Sequence, residues 1–486
     1  MNNPLKMANF TFPVINFGKL ALFGLWFFLA IFFGLASAVL PPKFLLMFGS
    51  IPLAILMAGL FPALAFSAVL VIAFGLLPQF LFGSLSLGGA SLQPAELLIL
   101  LIFSILIFRG EGLWRSALLP AKSLILPFCL LAAGVALGFF QGKILAHYKY
   151  AGADFRQYVG WLALPVALWL NRRYPGIVRR IVLYIALGAA CAMVFQMVSG
   201  IQIIYGFRGS EGLTKEFNDV KRSAIGGGEL FLVYSAYYLF AHFCDSDSFR
   251  KTALFGLILV LGALVASFSR GVWASALLGA LVFLLISPKF KRSKSLYTLI
   301  ALVSATVFGL GLSVAVPRVG EAMVDRVLSI AQEGKKGSSV GFRLYENQQA
   351  WKSIQESPIL GKGVGAEYKA VFRQVELGGG FDTEKSYVHN AYLGIWLKLG
   401  IFGFIFPFFL TFLLFRSVFS RRKTDHQLEL QLRTARLSSC AAFSSLIGVA
   451  VYGLTSPVWS TFSAIAVSSC LIVLICDDGR YAPRKA

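Results

Sequence analysis

The chain has 486 residues, of which 57% are hydrophobic, 14% aromatic and only 14% charged. A soluble domain of this length could not bury so much apolar surface. Long apolar stretches alternate with short polar ones, a hydropathy pattern typical of many membrane-spanning helices. The composition therefore predicts an all-α, polytopic membrane protein and excludes an ordinary soluble fold.

The net charge of +22 could indicate either nucleic-acid binding or orientation in a membrane. No basic stripe or base-stacking platform is present, so no nucleic-acid partner is expected. The basic residues instead fall in every second loop, as the positive-inside rule requires of cytoplasmic loops. They are Arg109, Arg115, Lys122, Arg172, Arg173, Arg179, Arg180, Arg250, Lys251, Lys289, Lys291, Arg292, Lys294, Arg416, Arg421, Arg422, Lys423, Arg480, Arg484 and Lys485. This pattern assigns these loops and both termini to the cytoplasm.

Apolar runs of the roughly 17–25 residues that a bilayer requires predict twelve to fourteen spans. They lie near 19–40, 44–60, 62–82, 93–109, 122–140, 155–171, 178–200, 225–243, 252–268, 271–287, 295–316, 389–415, 435–455 and 457–475. The first run lacks a basic n-region followed by a small-residue cleavage site, so we interpret it as a retained helix. Pro62 leaves open whether the second and third runs are two spans or one kinked re-entrant segment.

The polar stretches not assigned to the cytoplasm face outward, and three are long. They are 141–154, 201–224 and 317–388. In the last, apolar spacing predicts a helix over Glu321–Glu333 with one apolar face. That face contains Met323, Val324, Val327 and Leu328. A second helix is predicted over Arg343–Glu356, stopped by Pro358, before a Gly-rich turn at 360–365.

The chain is expected to have four regions. They are N-terminal transmembrane helices at 1–200, central transmembrane helices at 201–316, a large periplasmic loop at 317–388, and C-terminal transmembrane helices with a cytoplasmic tail at 389–486. The central region contains Arg222 and Arg270, and the last begins at His389.

His389 is the candidate catalytic residue, because it lies where the long outer loop re-enters the membrane, in YVHNAYLGIWLKLGIFG. A neutral imidazole there can accept a proton from a hydroxyl near physiological pH. The alternative is a His that only caps a helix at the interface. The other histidines are His147, His242 and His426, for which solvent or headgroup contact is the simpler interpretation.

Three arginines stand at the outer boundary, against the positive-inside trend. They are Arg222 in VKRSAIGGGELF, Arg270 in SFSRGVW and Arg343 in SVGFRLYENQQAW. A cation at membrane depth usually has an anionic partner, and Arg suits phosphate oxygens. Snorkelling to headgroups is the alternative. Glu96, in LQPAELLIL, is either a helix N-terminal charge or a partner for one of these arginines.

Three other sequence features give weaker evidence for a functional site. Asp245-Ser-Asp247 spells a D-x-D metal clamp but falls in a short cytoplasmic loop, where a solvated turn is the simpler interpretation. The segment LGKGVG lacks the spacing of a phosphate-binding loop. The six Cys form no CxxC or Cys/His cluster, so neither disulfides nor structural zinc are expected.

Three blocks of the chain resemble the O-antigen ligase and O-antigen polymerase superfamily of bacterial envelope glycosyltransferases. The first is Arg222 with the small residues after it, and the second is Ser269-Arg270-Gly271. The third contains Gly341-Phe342-Arg343, Trp351, the segment 358–365, His389-Asn390-Ala391-Tyr392-Leu393, Gly400 and Gly403. The resemblance covers roughly 200–410, and the first six or seven spans match only in hydropathy.

The resemblance implies a GT-C-like helical fold in the bacterial inner membrane and a metal-independent, inverting transfer with no cofactor. The donor is expected to be a glycan on undecaprenyl pyrophosphate at the outer leaflet. By position, His389 is expected to be the catalytic base. Arg222, Arg270 and Arg343 are expected to bind the diphosphate, with Arg343 also catalytic. Asn390, Tyr392 and Glu96 are candidate supporting residues.

The ligase and the polymerase activities differ in the acceptor of the glycan. A ligase uses a sugar hydroxyl of lipid A–core, and a polymerase uses another lipid-linked repeat unit; no residue decides between them. A transporter or flippase of lipid-linked glycans is a further hypothesis, although such proteins tend to show repeated halves and mid-membrane charges. A structural scaffold is the remaining one.

Overall fold

The computed structural model describes most of the chain between residues 54 and 477. The described residues are 54–76, 85–87, 90–109, 122–204, 225–245, 250–287, 316–328, 339–368, 372–373, 381–382, 386–420 and 430–477, with single residues between 295 and 314. The chain divides into two compact units, Met1–Ala65 and Phe66–Ala486. In the first unit, residues 54–60 are helical.

The described chain is mainly helical, as the composition predicts. Its elements are α1 (Pro62–Ala73), β1 (Leu85–Leu87), β2 (Ala90–Leu92), α2 (Pro94–Phe108), α3 (Lys122–Phe139), α4 (Ala151–Gln157), α5 (Ala163–Arg173), α6 (Ile177–Ser199), α7 (Glu229–Asp245), α8 (Arg250–Ala266), α9 (Arg270–Ile286), α10 (Pro317–Leu328), α11 (Ser339–Glu356), β3 (Phe372–Arg373), β4 (Phe381–Asp382), α12 (Ala391–Ser420), α13 (Leu430–Tyr452) and α14 (Phe462–Cys476). The strands form two short antiparallel pairs, β1 with β2 and β3 with β4, which the all-α prediction did not include.

Among the described residues, four helices are long and apolar enough to cross a membrane. They are Ser123–Leu145, Ile177–Ser199, Ala391–Phe419 and Arg433–Tyr452. Shorter apolar helices are Pro62–Ala73, Pro94–Phe108, Arg270–Ile286 and Phe462–Cys476. The polytopic class is therefore confirmed, while the number of spans stays a prediction. The predicted span at 19–40 lies outside the described residues, as does most of 44–60.

The span predicted at 155–171 is not one regular helix. It consists of the end of α4, a 3-10 segment at Tyr158–Leu162, and α5. Pro165 explains the change, because it has no N–H to bond the carbonyl of Trp161 four residues earlier. The α-helical ladder therefore cannot pass continuously through this point.

The Gly-rich turn at 360–365 is present, but its docking was not predicted. The Val364 N–H donates to the carbonyl of Gly138 at 2.9 Å. That carbonyl would otherwise accept the N–H of Gly142 in the α3 ladder. The helix widens there into a π-helical segment, Phe140–Leu145. The turn thus explains an irregularity in a helix more than 200 positions earlier in the chain.

The same turn docks on a break in α12, which was predicted as a continuous span. Gly400 has φ 66° and ψ −157°, which interrupts the helix. The Lys362 N–H donates to the Leu397 carbonyl at 2.6 Å, and the Ile401 N–H donates to the Ile359 carbonyl at 2.9 Å. The turn and Ile359 just before it therefore satisfy backbone groups that the break exposes, as irregular backbone at membrane depth requires.

The helix termini form two ends. At one, the Ala391 N–H donates to the Gly453 carbonyl at 2.8 Å. We term this the histidine end; it contains the N-termini of α7, α9, α12 and α14 and the C-terminus of α13. At the other, Arg433 Nη2 donates to Asp245 Oδ1 at 2.5 Å. We term this the basic end; it contains the C-terminus of α7 and the N-termini of α6, α8 and α13.

Candidate active site

His389 lies two residues before Ala391, the first residue of α12, at the histidine end. The helix is capped by its neighbour, because Asn390 Oδ1 accepts the N–H groups of Tyr392 at 3.0 Å and Leu393 at 3.2 Å. This is the usual arrangement of an Asn N-cap. The capping function therefore belongs to Asn390, and the imidazole of His389 is not used for it.

The His389 ring contacts a buried carboxylate that the sequence analysis missed. Its Nδ1 lies 2.6 Å from Oε2 of Glu346 on α11. The His389 side chain is 18% exposed and the Glu346 side chain only 1%. Residue spacing could have identified Glu346, because it lies four residues after Phe342 and four before Ala350, on the buried face of α11. An acid within an otherwise apolar face indicates a specific partner.

Aromatic and apolar contacts hold the histidine segment against α11. The rings of Tyr387 and Phe342 meet the His389 ring nearly at right angles, at 4.9 and 6.2 Å. A buried cluster joins α11 to the segment and to the first half of α12. Its members are Ala350, Ile354, Val388 and Leu397. The Tyr368 hydroxyl donates to the Tyr387 carbonyl at 2.7 Å. These contacts fix the backbone on the N-terminal side of His389.

Tyr392, a predicted supporting residue, points toward α13. Its hydroxyl donates to the carbonyl of Ala450 at 2.7 Å. The structure thus gives this side chain a helix-packing contact beside the site, at the C-terminal end of α13.

Arg270 begins α9 at the same end of the bundle and is half-buried. The preceding Phe268 is fully buried with φ 46°, a conformation that costs energy for a bulky residue. A Cβ built on Gly271 would lie 3.0 Å from the Tyr452 ring. Tyr452 is adjacent to Gly453, whose carbonyl accepts from Ala391. Arg270 and His389 therefore flank the same end of α13.

The other two arginines predicted to bind the diphosphate are Arg343 and Arg222. Arg343 is half-buried on α11, three residues before Glu346, and such positions neighbour each other on a helix. Arg222 lies outside the described residues. The segment that follows it is at the histidine end, because the Ser463 hydroxyl at the start of α14 donates to the Gly226 carbonyl. Glu229 fixes this turn by accepting from the N–H groups of Ile225 and Gly227 at 3.0 and 2.8 Å.

Glu96 is a helix N-terminal charge. Its Oε2 accepts the N–H of Gln93 at 2.9 Å, which forms a capping box at the start of α2. Its other oxygen lies 3.7 Å from Nε of Arg156. The arginine next to Glu96 is therefore Arg156, which the sequence analysis did not single out.

A second buried charge pair fixes the Gly-rich turn. Lys398 Nζ lies 2.7 Å from Asp154 Oδ2, with side chains 7% and 19% exposed. The same carboxylate oxygen accepts the Gly365 N–H at 2.8 Å. Asp154 thus connects α4, the turn and the first half of α12. Neither residue was predicted, although a lysine inside an apolar span is an expected sign of a specific partner.

The D-x-D candidate lies at the basic end. Asp245 pairs with Arg433, and Asp247 is outside the described residues. Within the described part of the chain, no group of three or more His, Cys, Asp or Glu side chains is placed to hold a metal ion. The expectation of metal-independent chemistry stays a prediction.

Fold and site together define a helical membrane protein whose buried His–Glu pair and boundary arginine share one end. Residues 255–408 match the family model for O-antigen ligase. This segment contains Arg270, Arg343, Glu346 and His389, and it ends inside α12. The resemblance to the O-antigen ligase and polymerase superfamily is therefore confirmed over these residues.

One relative extends the comparison beyond the family model. An uncharacterized protein of Haemophilus influenzae is 26% identical to this chain over 258 residues. The match covers 50% of this chain and 60% of that protein.

Proposed function

We propose that this protein is an inner-membrane glycosyltransferase of the O-antigen ligase and polymerase type. It transfers a glycan from undecaprenyl pyrophosphate to a sugar hydroxyl at the periplasmic face. The observation that carries the proposal is the position of His389. Its side chain is partly exposed and is not used for capping, and it lies with Arg270 at the histidine end of the bundle, within the segment that the family model matches.

His389 is the general base in this proposal. The acceptor oxygen forms a bond to the anomeric carbon of the donor, and its proton passes to the imidazole. The bond from that carbon to the phosphate oxygen breaks, and its electron pair leaves with the lipid diphosphate. A single displacement of this kind inverts the anomeric carbon, so product stereochemistry is a direct check.

The arginines neutralise the leaving group. Negative charge develops on the diphosphate as the glycosidic bond breaks, and fixed guanidinium groups stabilise that charge in the transition state. Arg270 is suited to this because it is half-buried at the start of α9, beside the same helix terminus as His389. Arg343 shares α11 with Glu346, and Arg222 precedes a turn at the same end. All three are proposed diphosphate ligands.

The periplasmic location rests on the charge distribution. Arg179, Arg250 and Arg433 lie at the basic end, which the positive-inside rule assigns to the cytoplasm. The histidine end is then on the opposite side, where a donor in the outer leaflet is accessible. Both termini are proposed to be cytoplasmic.

The test is product analysis with the purified protein and a defined undecaprenyl pyrophosphate-linked glycan, with and without lipid A–core. Glycan attached to lipid A–core, and no product without it, supports the ligase. Longer lipid-linked chains formed without lipid A–core support the polymerase. No covalent product in either reaction, together with movement of the donor across the bilayer of reconstituted vesicles, would reject both in favour of a transporter.

A further inference from the structure

Glu346 is a fully buried carboxylate, and its burial requires an explanation. Glu346 is 0% exposed, and its carboxylate oxygen Oε2 lies against Nδ1 of His389. A buried carboxylate is costly unless it is paired and hydrogen-bonded. The family match includes this residue, but the match itself assigns it no role.

The contact determines which imidazole nitrogen carries a proton. An ionised Glu346 carboxylate can only accept a hydrogen bond, and in that state Nδ1 is the donor across the 2.6 Å contact. In the neutral ring the second nitrogen, Nε2, then holds the free lone pair. We infer that Glu346 is the positioning residue that holds His389 with Nε2 as the basic nitrogen; this inference rests on the proposed function.

The proton and electron balance of the transfer agrees with this role. Nε2 takes the acceptor proton while the new glycosidic bond forms and the bond to phosphate breaks. Nδ1 keeps its proton and continues to donate to Glu346, so the carboxylate faces an imidazolium instead of a neutral ring. The carboxylate therefore stabilises the charged ring without being protonated itself.

A purely structural role for the pair is less well supported by the packing. The cluster of Ala350, Ile354, Val388 and Leu397 already joins α11 to the histidine segment. The Trp396 indole N–H also donates to the Pro358 carbonyl at 2.7 Å, which ties α12 to the end of α11. The contact with the carboxylate adds a fixed orientation and tautomer of the His389 ring to these contacts.

The experiment compares Glu346→Gln with Glu356→Gln. Both change a glutamate on α11, but Glu356 is 63% exposed and pairs with Lys362. We expect Glu346→Gln to lower kcat by about 10⁴-fold, the loss that follows the same carboxylate-to-amide change behind a catalytic imidazole, with the donor KM within about threefold. Glu356→Gln should stay within about twofold of wild type in both constants, as surface substitutions usually do.

The double variant with His389→Ala separates positioning from structure. If Glu346 acts through the imidazole, Glu346→Gln should cause no further loss in the His389→Ala background, because the effects of coupled residues are not additive. Full kcat in Glu346→Gln, or an equal additional loss in the double variant, would overturn the inference. Failure of wild-type protein to form any covalent product would instead reject the proposed function.

Discussion

The two ends of the bundle carry charges of different kinds. At the basic end, the Arg433 side chain is 32% exposed although it pairs with Asp245. At the histidine end, Glu346 is almost fully buried and contacts His389 from another element, and Lys398, in the first half of α12, is likewise buried and pairs with Asp154. Exposed basic residues orient a membrane protein, whereas buried paired charges are costly and mark positions with a specific function. Burial therefore distinguishes charged residues of the candidate site from charged residues that orient the protein in the membrane. The sequence alone shows the type of each charged residue but not whether it is buried.

The largest expected effect on stability is at the buried pair. Asp154→Asn leaves the Lys398 ammonium without its anionic partner, and breaking such a pair costs about 3–5 kcal/mol. The free energy of unfolding from a denaturant titration in detergent measures the loss. Asp325→Asn, at an exposed position on α10, is the control and should change stability by less than about 0.5 kcal/mol.

Lys398→Met added to Asp154→Asn sharpens this test. The double variant removes the uncompensated charge, so it should be more stable than Asp154→Asn alone. A double variant that is less stable than the single one would show that the ammonium itself, and not its pairing, stabilises the fold.

Activity should respond to arginine replacement at one end only. Arg270→Ala removes a proposed diphosphate ligand and should lower kcat by about 10²–10³-fold, as loss of one transition-state donor does elsewhere. Arg433→Ala, at the basic end, should retain at least half of the wild-type rate. Initial rates with a defined lipid-linked donor measure both. Similar losses in the two variants would remove the distinction between the ends.

A smaller effect is expected where the Gly-rich turn packs on the π-helical segment Phe140–Leu145 that follows α3. A Cβ on Gly142 would overlap the carbonyl oxygen of Val364 and lie 2.8 Å from its nitrogen. Gly142→Ala should therefore cost about 1–3 kcal/mol through overpacking. Gly188→Ala is the matched control, because a Cβ there meets nothing within 4 Å. Equal stability of the two variants by the same titration would contradict the docking of the turn.

Much of the scaffold could be predicted from local sequence. Helical spacing and Pro358 predicted a helix over Arg343–Glu356, which the structure shows to begin four residues earlier, at Ser339, and the glycines predicted the turn at 360–365. The resemblance placed His389 and Arg270 in one site, and the structure puts both beside the end of α13. The helix and the turn depend on residues close together in the chain, and the placement of His389 and Arg270 depends on the sequence motifs of the family resemblance.

The missed features depend on distant residues. Asp154 bonds Gly365 across 211 positions, and Glu346 reaches His389 across 43. The break at Gly400 is stabilised by backbone groups from the turn, so the apolar run around it still reads as one continuous span. Hydropathy and spacing describe one segment at a time and cannot assign such partners.

The most direct test of a catalytic histidine end is the rate of glycan transfer by His389→Gln beside His242→Gln. His242 lies on α7 near the basic end and serves as the matched control. The account predicts that His389→Gln loses about 10²–10⁴-fold in kcat, the contribution of a general base, while remaining folded and inserted. His242→Gln should transfer glycan at close to the wild-type rate. Wild-type activity in purified His389→Gln protein would contradict the account.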